Sequence, residues 1–559
     1  MALDIPGMLR SLSLAREDDI PQLAWLDATW KDPASFWAAL LDHLRRGGPP
    51  LKSKIGVASD LYADAIVRHA RSGRPALVWH ERRAGWRALG YADLDARAES
   101  RASAWIAQGA AAGKTIALVQ DIGLEYVVDL AAALRIGAVV SILPPASDLH
   151  LAHRLAELKP DHIAADPLRP PPLGSFAKLV LDPGGRGPPP RLPPHAYGPK
   201  EPWAQLFSPA RAPITAPTPV LAHKALLHGL RDGLFAFGLE AGSVFAAPGA
   251  HPTQHQPSLL LATLLAGATF LHIPADELAD DPALLSAQPI DSLFITAALR
   301  DVLRARSAGR LARLRFWVKP VDEALDWTAW RDFVDRNGLA EIPAANVLVD
   351  AAEGSCVLFS TRRPASIHAR ALPCAAQPWR LSPVTDGGPA GEVGIFEALQ
   401  GDEPDPRGWF ILARSQGEYL YGSTLVPRRA ARVFPSAEVE KAAAALAFAK
   451  AACVVPVPAS GPGASALFVL CVFTGADPSA EEERPAREAK LRGELAQRLG
   501  PDAIPDAIAI HPLYPRMKDG EVDKGWCTRQ LLSGWLDEKS AHASFQQLTA
   551  LRGALLDAT

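Results

Sequence analysis

Two short apolar runs, KTIALVQ at Lys114 to Gln120 and AVVSIL at Ala138 to Leu143, flank a segment of helical period from Leu124 to Gly137. Strands that are apolar on both faces must be covered on both faces, and a helical crossover between neighbours makes them parallel. The chain therefore reads as α/β. The same alternation surrounds this unit. Leu61 to Ser72 has helical spacing, Pro75 to His80 is strand-like, and Tyr91 to Gly109 places Leu94, Ala98, Ala102, Trp105 and Ile106 at three- and four-residue intervals. Further strands are expected near Val244 to Ala247, Thr269 to Ile273, Ser292 to Ile295 and Arg315 to Val318.

Proline interrupts this order. There are 51 prolines in 559 residues, about twice the usual ~5%. Between Pro170 and Pro219 their fixed φ and missing amide donors forbid long helices and central strands. That stretch reads as an irregular connection holding one short strand, Lys178 to Leu181, or as a plain surface linker shaped by codon bias. Beyond Gly387 the pattern changes to shorter β pieces opened by glycine, GEVGIF, GWFILA and GEYLYGS. A helix from Pro435 to Ala449, strands at Ala452 to Val457 and Ala466 to Phe473, and a charged helix from Ala480 to Leu499 follow. Four segments result: a helical extension over 1–50, with Trp25, Trp30, Phe36 and Trp37 at partly helical spacing; a large domain over 51–420; a small one over 421–530; and a helical tail over 531–559.

Composition narrows the function. Fifty-eight basic residues against 61 acidic ones give a net charge of -3, so no global field gathers polyanions, and nucleic acid is not an expected partner. Five cysteines with no C-x-x-C pair argue against a disulfide framework or a zinc site and suggest a reducing, cytoplasmic setting. Residues 1–20 lack a secretory apolar region. The most apolar stretch, Leu259 to Ile273, is 15 residues, short of the ~20 that span a bilayer.

The segment from Asp60 to Pro160, centred on LGYADLDARAESRASAWIAQGAAAGKTIALVQDIGLEYVVDLAAALRIGAVVSILPP, resembles the N-terminal part of adenylate-forming enzymes, in the acetyl-CoA and acyl-CoA synthetase branch. GSVFAAPGAH, LLAGATFLHIP, LFITAALRDVL, GWFILA, VFPSAEVE and YPRMKDGEVDK follow in the family's order. The resemblance implies a large N-terminal domain of layered sheets and helices and a small, mobile α+β C-terminal domain. It also implies carboxylate activation with ATP and magnesium to an acyl-adenylate, then transfer to a thiol such as CoA. In-line attack at the α-phosphorus requires backbone amides, a lysine and a metal to neutralise clustered charge.

The positions matching these ATP-handling motifs carry other chemistry. The family's glycine-rich phosphate loop corresponds to SPARAPITAPTPVLAH, anchored by His223, with no glycine between Phe207 and His228 and four prolines that donate no amide. Arg211 is its one cation, a phosphate ligand or an isolated surface arginine. The Tyr-Gly-x-Thr-Glu motif matches Val349 to Glu353, leaving Glu353, followed by Gly354, as a metal ligand or a turn residue. In GWFILAR the ribose-gripping aspartate is Arg414, which only donates hydrogen bonds. Ser423 or Thr424 stands at the hinge aspartate, and Arg428, Arg429 and Arg432 form a basic cluster facing CoA phosphates, a carrier-protein arm, or solvent. The catalytic lysine position is Glu521, with Lys518 three residues earlier. Losing one transition-state donor costs about 10² to 10³ in rate, and an added repulsive charge costs more. PGAH retains the histidine, His251, that the family places by its substrate and thiol tunnel; Gln254 and His255 are candidates for the same cavity, and a structural histidine is the alternative. Two functions follow as expectations. One is an acyl- or pantetheine-binding accessory protein that has lost adenylation and works with an acyl carrier or partner enzyme. The other is an active acyl-CoA ligase using Arg211, Lys518 and Glu353 as substitutes.

Overall fold

The computed structural model describes residues 3–14, 21–54, 56–143, 145, 148–166, 170–184, 193–207, 217–252, 255–306, 308–321, 327–350, 353–362, 369–370, 374–377, 380–383, 393–400, 403–415, 418–424, 428–429, 432–457, 467–475, 483–518, 521–522 and 527. Two compact units divide it, one formed mainly by residues 1–378 and the other by 379–559.

The first unit opens with helices α1 (Ile5–Leu14), α2 (Pro21–Lys31) and α3 (Pro33–Gly47). Asp32 starts α3 because its carboxylate accepts the Ser35 amide at 3.1 Å, and Pro33 has the φ a first helical turn wants. Strands β1 (Pro75–Glu81) and β2 (Gly85–Gly90) form a hairpin running into α4 (Tyr91–Ala107). Then β3 (Thr115–Val119), α5 (Leu124–Ile136), β4 (Val139–Ile142), α6 (Asp148–Leu158), β5 (His162–Ala165), β6 (Pro202–Leu206) and β7 (Thr218–Leu221) build a five-stranded sheet, ordered β5-β3-β4-β6-β7. Its first four strands are parallel, as the apolar runs of β3 and β4 predict; β6, an inner strand, corrects the expectation that the proline-rich stretch holds no central strand, because only its first residue, Pro202, lacks an amide. The expected strand at Lys178 to Leu181 is not one. Gly174–Leu179 is a 3₁₀ turn, and only Val180 bridges to Ile163. Flanking prolines supply too few amide donors for a ladder.

The chain continues through α7 (Ala222–Phe235), β8 (Val244–Ala246), α8 (Gln256–Ala266), β9 (Thr269–His272), β10 (Ser292–Phe294), α9 (Ala297–Ala305), β11 (Phe316–Pro320), α10 (Trp327–Arg336), β12 (Ala344–Asp350) and β13 (Ser355–Arg362). These join the first hairpin in an eight-stranded sheet, β13-β12-β11-β10-β8-β9-β1-β2, antiparallel only at its two outer pairs. The apolar stretch Leu259 to Ile273 is no single span: it divides between α8 and β9 at Gly267, whose φ of +68° closes the helix. Among the described residues no helix is long and apolar enough to cross a membrane.

The N-terminal helices pack through aromatics on α7. Trp25 stacks on Phe235 at 5.7 Å, Phe36 lies 6.0 Å from the same ring, and Trp37 stacks on His228 at 5.8 Å.

The second unit begins with an antiparallel meander of β14 (Arg380–Pro383), β15 (Val393–Gln400), β16 (Glu403–Ser415) and β17 (Glu418–Thr424). Helix α11 (Ser436–Ala444), β18 (Ala451–Val457), β19 (Leu467–Phe473), α12 (Arg484–Leu499) and β20 (Ala507–His511) form a three-stranded sheet with two helices. Strand alternation decides its faces. Val454, Leu470, Val472, Ile508 and Ile510 share one core with residues of both helices, while Cys453, Val455, Val469, Cys471 and Phe473 face the other way. Strands β21 (Met517–Lys518) and β22 (Glu521–Val522) close a small hairpin. The expected tail over 531–559 lies outside the described residues.

Burial sets a pH limit. His69 is packed against Tyr91, ring centres 5.2 Å apart, and burial pulls its pKa down to about 4. Unfolded histidine titrates near 6.5, so this site's stability is complete above that pH and is lost progressively as pH falls toward 4. The urea midpoint should fall between pH 7 and 4.5, and His69→Gln should flatten the slope; an unchanged slope would reject the assignment.

Candidate functional site

In an open parallel sheet a crevice forms at the carboxyl ends of the strands where the winding direction reverses. Here β9 lies on one side of β8, while β10, β11 and β12 build outward on the other. The reversal falls between β8 and β10. The loop leaving β8 contains Gly249, at φ +74°, where an added Cβ would sit 3.1 Å from the Thr296 Oγ1 that follows β10. That hydroxyl accepts the Leu299 amide and caps α9. In the same loop the His251 backbone amide donates to His255 Nδ1 at 3.0 Å, so a neutral His255 carries its proton on Nε2. The buried His255 ring lies 5.2 Å from Phe294, and Gln256 Nε2 donates to the Ala247 carbonyl. The structure thus brings His251 and His255 together at the reversal point. Gln254 lies outside the described residues, as does Arg211.

Glu353 and Gly354 turn the chain from β12 to β13, where the Asp350 carbonyl accepts the Glu353 amide at 3.1 Å. Gly354 has φ +62°, and a Cβ would lie 2.9 Å from Val220 of β7. A side chain is therefore excluded twice, by backbone conformation and by contact. Just beyond, Ser355 Oγ meets His228 Nδ1 at 3.1 Å. Ser355 has no exposed surface, so this pair positions β13 against α7 and does not offer a nucleophile. Neighbouring Arg231 donates to Asp232 at 2.7 Å, to the Cys356 carbonyl at 2.8 Å and to the Ala375 carbonyl at 3.1 Å. Burial opposes the guanidinium's charge, and the Asp232 carboxylate together with the neighbouring Cys374 and Cys356 thiols outweighs it, so its pKa is raised.

A cleft of about 320 Å³ lies elsewhere in this unit, between α4, the end of α5 and Pro193–Ala196. Its polar groups are engaged already, Arg135 with Glu99 at 2.8 Å and His195 with Glu201 at 3.0 Å.

In the second unit Gly408, Trp409, Phe410 and Arg414 all lie on β16. Arg414 pairs in register with Tyr419, and Ser423 pairs with Ile411. Lys518 and Glu521 occupy one register position of the β21–β22 hairpin. At positions that the resemblance matches to nucleotide contacts, the sequence has Arg414, which only donates hydrogen bonds, and Pro219, which lies within the β6–β7 ladder.

The comparisons agree with this architecture. Residues 65–174 match the family model described as AMP-binding enzyme. No curated protein matches. Acetoacetyl-CoA synthetase from Streptomyces lividans is 16% identical, covering 99% of this chain and 97% of that one with a TM-score of 0.56. An acyl-CoA synthetase from Brucella canis is 17% identical over 85% of this chain and 94% of its own, at 0.54. ATP-bound MatB from Rhodopseudomonas palustris is 18% identical over 85% and 99%, at 0.52. The chain is an α/β protein with the adenylate-forming fold. Residues 65–174 are similar to AMP-binding enzymes, and the fold as a whole is similar to that of acyl-CoA synthetases.

Sequence reading missed Thr296 and the His228–Ser355 pair. Thr296 had a signal, a threonine between an apolar strand and AALRDVL, which is a helix-start pattern. The other pair spans 127 positions and had none.

Gly354→Ala should destabilise the protein by about 1–3 kcal/mol, read as a lower urea midpoint. A midpoint within error of the parent would show that Val220 yields and the turn is relaxed.

Proposed function

We propose that this protein keeps the acyl-CoA synthetase scaffold without ATP-dependent carboxylate adenylation, and serves as an acyl- or pantetheine-binding accessory protein. The observation that carries this reading is the β21–β22 hairpin. Where the resemblance calls for a lysine the sequence has Glu521, in backbone register with Lys518. A triphosphate near neutral or negative charge gains little electrostatic help. The glycine-free loop position and Arg414 support the same reading from independent sites. His251 and His255 at the strand reversal support a retained ligand crevice, because that end of the sheet is built by packing and does not depend on the phosphate loop. An acyl carrier or an acyl-activating enzyme is the partner class that supplies a substrate already activated.

A second reading rests on the ammonium that Lys518 still offers the hairpin, with Arg211 and Glu353 completing an unusual ligase site for ATP, magnesium and CoA. ATP–pyrophosphate exchange with a panel of carboxylic acids separates the two. No acid-dependent exchange is expected, and exchange above background would establish the ligase. In thermal-shift assays Mg-ATP should leave the melting temperature unchanged, whereas a ligand bound at 100 times its Kd stabilises by about 2.7 kcal/mol. Acyl-CoA is expected to raise it. Glu521→Lys alone should not restore exchange, because the loop and ribose positions stay altered; recovery in that single variant would show the loop to be competent.

A further inference from the structure

The cysteines that look unrelated in sequence converge in the second unit. Cys453 on β18 and Cys471 on β19 are direct register partners on one face of the sheet. Cys527 joins the same buried cluster from outside the sheet. All three are fully buried free thiols. Metal binding does not account for the trio, since among the described residues no such group is arranged to hold an ion.

We propose that Cys453, Cys471 and Cys527 form a redox latch, in which oxidation bonds Cys527 to one of the two strand cysteines. The bond would fasten the chain just beyond the β21–β22 hairpin to the sheet. That hairpin already leans on the sheet: β22 packs against β18, and Val522 borders the cysteine cluster. The oxidant is a small disulfide of the glutathione class. The Cys527 thiolate attacks one of its sulfurs and releases one small thiol. A strand cysteine, losing its proton, then displaces the second small thiol and forms the protein disulfide, so two protein thiols are oxidised and one small disulfide is reduced to two thiols. Cys527 leads because the other two are held in the ladder. Its contacts with Cys453, which lowers its pKa, and Cys471, which raises it, together with burial, leave the pKa well above the ordinary thiol value. The latch is therefore reduced and slow at rest, and reacts through local opening.

The test uses the full chain incubated with oxidised glutathione, quenched by alkylation and mapped by mass spectrometry without reduction. A disulfide joining Cys527 to Cys453 or Cys471 is expected, forming several-fold faster in sub-denaturing urea, with a melting temperature that rises on oxidation and returns with dithiothreitol. Cys527→Ser, and Cys527→Ala if the serine does not fold, should lose the bond with an unchanged circular dichroism spectrum. Three fully reduced thiols, a glutathione adduct that never resolves, or a Cys453–Cys471 bond alone would each overturn the proposal.

Discussion

The large unit depends on one buried ion pair. Arg231 and Asp232, adjacent on α7, together satisfy the Cys356 amide, the Cys356 carbonyl and the Ala375 carbonyl. From there the structure extends outward: the Ala376 amide donates to Thr29 and Trp30 donates to the Cys374 carbonyl, so the N-terminal helices are tied to the same short segment. Removing one member of a buried pair leaves an uncompensated charge and costs about 3–5 kcal/mol. The pair and its carbonyl partners therefore specify where β13 begins, and hence where the Glu353–Gly354 turn meets β7.

This explains how an architecture similar to that of acyl-CoA synthetases is kept while the residues that the resemblance matches to nucleotide motifs differ. The framework uses buried atoms: the Arg231 network, the close approach at Gly354, and the apolar β strands under α5 and α7. The altered positions ask little of folding. Gly408, Trp409 and Phe410 extend β16 as a strand whether or not an aspartate follows, and Arg414 completes a ladder pair with Tyr419 as well as any residue would. Fold and chemistry draw on different atoms of the same segments.

Legibility in the sequence follows that division. Parallel strands buried on both faces announced themselves, and β3, β4, β8, β9, β10 and β11 fall within a residue or two of their apolar runs. Where proline dominates, periodicity carries little information, which is why Lys178 to Leu181 was expected as a strand and is mostly a 3₁₀ turn. Candidate site residues were legible only where local spacing placed them together, as with His251 and His255. Contacts made across 127 positions, such as His228 with Ser355, or among Cys453, Cys471 and Cys527, leave no local pattern, because tertiary folding alone creates them.

The β21–β22 hairpin shows why stability and catalysis constrain a position so unequally. Each of its strands is two residues long, and its backbone pairing does not depend on which ionisable residue stands at position 521. Folding is nearly indifferent to which ionisable residue stands there. Transition-state stabilisation is not, because a misplaced charge beside developing phosphate charge acts where water is excluded and screening is weak. A ladder position can therefore keep its place in the fold while the charge it carries changes.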